Sequence, residues 1–191
     1  IALDGIKRHA YPGCQILVAK NGDVVYSKTF GYHTYDSLFK AKPDDLYDLA
    51  SVTKVTASVP GLMKLMELNK LSLDDNLCDH LDYVTDTKYD NMNLRDMLAH
   101  TAGLVPTIMY YTNTMHKGKL DTNLYKKDMS EDYPFKVADR LYIHKSIKDS
   151  IRKWTITHDI RDKREYKYSD VGYYFYKDII EQYFHSPLDK V

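Results

Sequence analysis

The chain has 191 residues, 43% hydrophobic and 28% charged, with 27 Lys+Arg against 27 Asp+Glu for a formal net charge of zero. That length supports one domain with a sizeable core. The even balance, without a long basic block, argues against nucleic acid or an acidic membrane as the main partner, and no apolar run approaches the ~20 residues of a membrane span.

Residues 2–11 read as a short helix ending near Pro12-Gly13. Residues 14–20 and 23–29 read as two strands joined by a type I′ turn at Asn21-Gly22, since Asn-Gly between β-rich runs is a strong hairpin signal. Cys14 falls in the first strand and reads as a small core residue; with Cys78 it makes no disulfide framework. The eight histidines form no H-E-x-x-H, no i/i+4 pair and no Cys/His cluster. There is also no G-x-G-x-x-G or Walker loop, so neither a metal nor a nucleotide cofactor is expected. The start at Ile1, without an initiator Met or signal peptide, suggests a processed or excised segment.

Ser37 and Ser51 each open an S-x-x-K match. About one is expected by chance in a chain this rich in lysine, so context must separate them. Ser37-Leu38-Phe39-Lys40 runs into Ala41-Lys42-Pro43-Asp44-Asp45, which reads as a turn. Ser51-Val52-Thr53-Lys54 follows a strand-like run at 46–50 and opens a long apolar helix carrying Val55, Val59, Leu62, Met63, Leu65 and Met66. One helical turn brings the Ser51 hydroxyl and Lys54 amine to one face. A serine there can be activated by a neighbouring base, with its own N–H and the helix dipole facing the reacting group. Pro60-Gly61 is expected to bend this helix.

Asn93-Leu94-Arg95-Asp96 reads as an N-cap and first turn, with Gly103 as the stop. Residues 105–165 read as polar helices and loops, and no second strand-rich region is expected after residue 51. Residues 171–184 carry one apolar face.

Three segments in this order resemble the serine beta-lactamase-like hydrolases (class C beta-lactamases, D-alanyl-D-alanine carboxypeptidases and related esterases). They are 47–54, ending in Ser51-Val52-Thr53-Lys54; 94–104, holding His100-Thr101-Ala102-Gly103; and Tyr168-Ser169-Asp170-Val171-Gly172-Tyr173. The hairpin from Pro12-Gly13 to Gly31-Tyr32 and the stretch Ser186-Pro187-Leu188-Asp189 extend the likeness over nearly the whole chain. The resemblance implies an α+β, beta-lactamase/transpeptidase-like fold. Residues 1–45 would supply an N-terminal helix and the hairpin of an incomplete antiparallel sheet, and 46–191 a mostly helical region. It implies Ser51 as nucleophile, Lys54 as its proton-accepting partner and Tyr168 as the phenol that shuttles a proton, with the acylation base assigned to Lys54 and Tyr168 jointly. His100-Thr101-Ala102-Gly103 is expected to be a structural turn. Tyr89-Asp90-Asn91 and Tyr111-Thr112-Asn113 fit Tyr-x-Asn to the letter, but Gly172 and the amphipathic helix that follow Tyr168 favour Tyr168.

Two departures stand out. Asp170 occupies a substrate-binding position where this family usually has Asn. A carboxylate cannot donate an amide hydrogen bond, and its charge favours protonated Lys54. Second, the family's Lys-Thr-Gly or His-x-Gly motif does not follow Tyr168, and His116-Lys117-Gly118 reads as coincidence. The closing strands and one oxyanion donor would then lie outside these residues, leaving them weak or inactive alone.

The resemblance thus implies a serine hydrolase forming an acyl-enzyme on a small-molecule or peptide substrate (peptide, amide or ester), without cofactor, in a periplasmic or other extracytoplasmic setting. The competing reading is a non-catalytic binding or regulatory module of the same fold, appended to a larger cell-wall or glycan-processing enzyme such as a glycoside hydrolase. A purely structural helical domain is the third.

Overall fold

A computed structural model describes residues 1–162 and 164–191. The chain divides into two compact units, Ile1–Ala50 and Ser51–Val191.

In the first unit, helix α1 (Ala2–Lys7) is shorter than the expected 2–11. Strands β1 (Gly13–Lys20) and β2 (Asp23–Gly31) pair antiparallel from Gly13↔Gly31 to Lys20↔Asp23, with an irregularity between Val18 and Ala19. Asn21 and Gly22 have φ of 54° and 91°. Both central residues of a type I′ turn need such positive values, which Asn and Gly tolerate best. Cys14 is half-buried rather than a core residue, and Cys14 and Cys78 are free thiols. The run at 46–50 is not a strand. Ser37 sits at a φ of 59° in a turn closed by Leu38 N donating to Asp36 Oδ1 at 3.1 Å. That S-x-x-K is therefore not helical.

In the second unit the chain enters a π-helical segment, Lys54–Ser58, that runs into α2 (Val59–Glu67). The change in hydrogen-bond register falls just ahead of Pro60-Gly61, where a bend is expected. Proline lacks the N–H that an uninterrupted ladder would require, and π-turns inside helices are frequent at functional sites. Helix α3 (Leu94–Leu98) is capped by Asn93, whose side chain accepts from Arg95 N at 3.0 Å and Asp96 N at 3.3 Å. It ends before Gly103, because His100 already takes a left-handed φ of 59°.

Five short strands occupy the stretch expected to lack them. β3 (Met115–His116) and β4 (Lys119–Leu120) form a hairpin whose turn is Lys117-Gly118, with φ of 50° and 74°. His116-Lys117-Gly118 is therefore a turn and not an inner-strand motif. β5 (Tyr125–Lys126), β6 (Phe135–Ala138) and β7 (Leu141–Ile143) make an antiparallel sheet in the order β5-β7-β6. Helix α4 (Ile147–Thr157) follows, then α5 (Val171–Phe184).

The core of this unit joins Leu62 and Leu65 of α2, Leu94 and Met97 of α3, and Val171, Phe175, Tyr176, Ile179 and Ile180 of α5. The buried α5 positions repeat at three to four residues, as one helix face requires. The Tyr176 hydroxyl donates to Leu94 O at 2.6 Å, satisfying a polar group inside the core. Phe175 is 1% exposed. Phe175→Ala is expected to cost about 3–5 kcal/mol through lost burial and an unfilled cavity, read as a lower midpoint in urea unfolding. Among the described residues no helix is long and apolar enough to cross a membrane.

Candidate active site

The four residues singled out from sequence come together in the second unit. Ser51 stands one turn ahead of Lys54, whose backbone N donates to Ser51 O at 3.1 Å. The Lys54 side chain folds back over the same turn, and Nζ donates to Ser51 Oγ at 2.9 Å. Nζ also donates to Asp170 Oδ1 at 2.5 Å, and it lies 5.0 and 5.2 Å from the ring centroids of Tyr168 and Tyr173. One ammonium thus joins a hydroxyl, a carboxylate and two aromatic faces. The competing tyrosines lie elsewhere. Tyr89 is 1% exposed and donates to His158 O, while Tyr111 lies in the short 3-10 turn Tyr110–Thr114.

The segment carrying Tyr168 and Asp170 is held by main-chain contacts to the loop after α3. Lys167 N donates to His100 O at 2.9 Å and Asp170 N to Pro106 O at 2.9 Å. Ser169 is buried at 2% exposure. Its Oγ donates to Val105 O at 2.6 Å and accepts from Val171 N at 3.1 Å. Ser169, rather than Asp170, therefore serves the free N–H groups at the start of α5. This leaves the Asp170 carboxylate free to turn to Lys54.

Electrostatics separate the two candidate proton acceptors. Burial is the largest single influence on Lys54 and pulls its pKa down. Hydrogen bonding to Asp170 and Tyr168, with their charges, outweighs it and leaves the ammonium above its ordinary value. Tyr168 moves the other way. Polar contact with Lys54, then with Ser51, holds the phenol below its usual 10, against a smaller opposing push from burial and from the Asp170 charge. Lys54 is thus held as the cation of this cluster, and the Tyr168 phenol ionises more readily than a free one.

The sequence places His100 in a structural turn. It does form one, but its ring also packs 4.6 Å from that of Tyr168, and Nδ1 accepts from Ser169 N at 3.2 Å. An accepting Nδ1 requires the neutral imidazole. Burial first, and Lys54 second, lower its pKa in keeping with that state, with Asp170 opposing. No local spacing could reveal a contact across 69 positions; the only trace in the sequence was His100-Thr101-Ala102-Gly103 itself. His100→Phe keeps a ring beside Tyr168 but strands the Ser169 N–H, at an expected cost of about 1–3 kcal/mol. His100→Asn, which retains an acceptor and tolerates the left-handed backbone, is expected to lose less. Paired urea titrations check the difference.

A family model described as Beta-lactamase matches residues 3–191. The chain is 27% identical over 132 residues to Protein flp of Staphylococcus aureus (strain MRSA252), covering 67% of this chain and 26% of that protein. It is 29% identical over 193 residues to a protein of Escherichia coli O157:H7 provisionally named a D-alanyl-D-alanine carboxypeptidase, covering 94% of this chain and 39% of the relative. Among solved structures it resembles the octameric penicillin-binding protein homologue from Pyrococcus abyssi. The TM-score is 0.66 at 22% identity, over 98% of this chain and 39% of that one. The fold is the expected α+β, beta-lactamase/transpeptidase-like one, mixed helix and strand with small antiparallel sheets. The chain spans well under half the length of each of these relatives.

Proposed function

The chain belongs to the beta-lactamase family, a family of serine hydrolases and penicillin-binding-protein-like proteins, and we propose that Ser51, Lys54 and Tyr168 carry acyl transfer on a peptide, amide or ester. The observation that supports this most is the single ammonium of Lys54 bridging Ser51 Oγ and Asp170 Oδ1 beneath the Tyr168 ring.

Tyr168, as phenolate, takes the Ser51 proton while Oγ bonds to the substrate carbonyl carbon. Lys54 stabilises the phenolate and orients the hydroxyl. The carbonyl π electrons move to oxygen, which the Ser51 N–H helps to hold. When that oxygen re-forms its double bond, the C–N or C–O bond breaks, and the leaving group takes the proton from Tyr168. Water then attacks the acyl-enzyme, giving one proton to Tyr168; the ester bond to Oγ breaks, and Ser51 recovers that proton.

The second oxyanion donor expected of this family is not found among the motifs here. Loss of one such donor costs about 10²–10³ in rate, so residues 1–191 alone are expected to react slowly, and assays belong on the full natural chain. Incubation with a fluorescent fluorophosphonate should place an adduct on Ser51 that Ser51→Ala abolishes while remaining folded. A folded chain without an adduct would refute the assignment. That result would favour the second reading, a non-catalytic binding module attached to a cell-wall or glycan-processing enzyme. One observation speaks for it: Asp170 keeps Lys54 protonated.

A further inference from the structure

Only one oxygen of the Asp170 carboxylate is engaged by the cluster. Oδ1 accepts from Lys54 at 2.5 Å, and Oδ2 has no hydrogen bond or ion pair among the described residues. The carboxylate is also the open partner of the pair, with 40% of its side-chain area exposed against 13% for Lys54. Exposed Tyr168 lies beside it.

Among the described residues, the groups in contact with Asp170 and Lys54 add no second cation. Lys54 is matched by Asp170 itself. His100 accepts a hydrogen bond and is neutral. Burial pushes the Tyr173 and Tyr174 phenols up, and contact with Lys54 pulls the Tyr168 phenol down, so none of the three adds positive charge. A substrate carboxylate entering here meets the Asp170 charge and a cation, Lys54, that Asp170 already engages. A substrate ammonium meets a half-satisfied, accessible carboxylate that only the Lys54 ammonium separates from the Ser51 hydroxyl. Charge-assisted N–H···O contacts are the strong kind.

We propose that Asp170 determines specificity, selecting acyl compounds with a protonated amine close to the reacting carbonyl, such as amino-acid amides or peptides with a free amino terminus, over N-acylated or carboxylate-bearing ones. This rests on the hydrolase reading of Ser51.

The test uses protection of Ser51 from a fluorophosphonate in the full natural chain, which reads occupancy whether or not the competitor is turned over. Alaninamide, as either enantiomer, and its N-acetyl counterpart are the probes. The free amine should protect at about ten- to hundredfold lower concentration near pH 6.5. The advantage should fade above pH ~8 as the α-ammonium loses its proton. Asp170→Asn should erase it, with protection by each probe scored against that variant's own uncompeted labelling. Equal protection, preference for the acetylated probe, no protection by either, or an advantage that survives in Asp170→Asn would each overturn the assignment. If that variant does not fold, the pH dependence in the unaltered chain decides. Labelling without amine preference defeats this inference alone; absence of labelling in the folded chain defeats the hydrolase reading with it.

Discussion

Lys54→Ala is expected to slow labelling of Ser51 by about 10³-fold, within the range seen when proton-transfer catalysis is lost. The side chain does three things at once. It donates to Ser51 Oγ, neutralises Asp170 and supplies the largest influence lowering the Tyr168 pKa. Without it, the Asp170 charge pushes the phenol back toward or above 10. The rate should then not only fall but also shift its dependence on pH, with the rising limb displaced upward. The core of Ser51–Val191 does not include Lys54, so a near-unchanged urea midpoint should accompany the loss. Labelling at the unaltered rate would show that Ser51 and Lys54 are not a catalytic pair.

Tyr168→Phe is expected to cost about 10²–10⁴ in acylation rate. The ring, its packing on His100 and its face toward Lys54 all survive, and only the proton acceptor goes. In the unaltered chain the rate should climb with pH as the phenol ionises, with a midpoint below 10. In Tyr168→Phe that limb should vanish, leaving a flat residue of activity. Asp170→Asn supplies the sign test. Its charge opposes ionisation of Tyr168 and raises Lys54, so removing it should move the limb to lower pH, opposite to Lys54→Ala. A limb unchanged in Tyr168→Phe would assign the titration to another group.

Much of the site could be read locally. Ser51 and Lys54 lie within one helical turn, and helical geometry alone brings a hydroxyl and an amine that far apart onto one face. The helix at 171–184 was legible because its apolar face repeats at the helical period over four turns, and Asn21-Gly22 because only a few residues accept two positive φ values in succession. Strands of two to four residues, such as β3 to β7, carry too few alternations to register. The π-helical segment at Lys54–Ser58 escaped for a related reason: five residues are too few to tell one helical period from another.

The sequence by itself determined the chemistry on offer: a serine and a lysine at the start of an apolar helix, a tyrosine ahead of another, and a carboxylate where an amide was expected. Tertiary structure alone decided which of these groups touch. Asp170 reaches Lys54 across 116 positions and His100 reaches Ser169 across 69. Such contacts depend on how α2, α3 and α5 pack around Leu62, Met97 and Phe175. Hydrogen bonding and neighbouring charge, which no spacing encodes, then lower the proton affinity of Tyr168 and raise that of Lys54 against the opposing pull of burial.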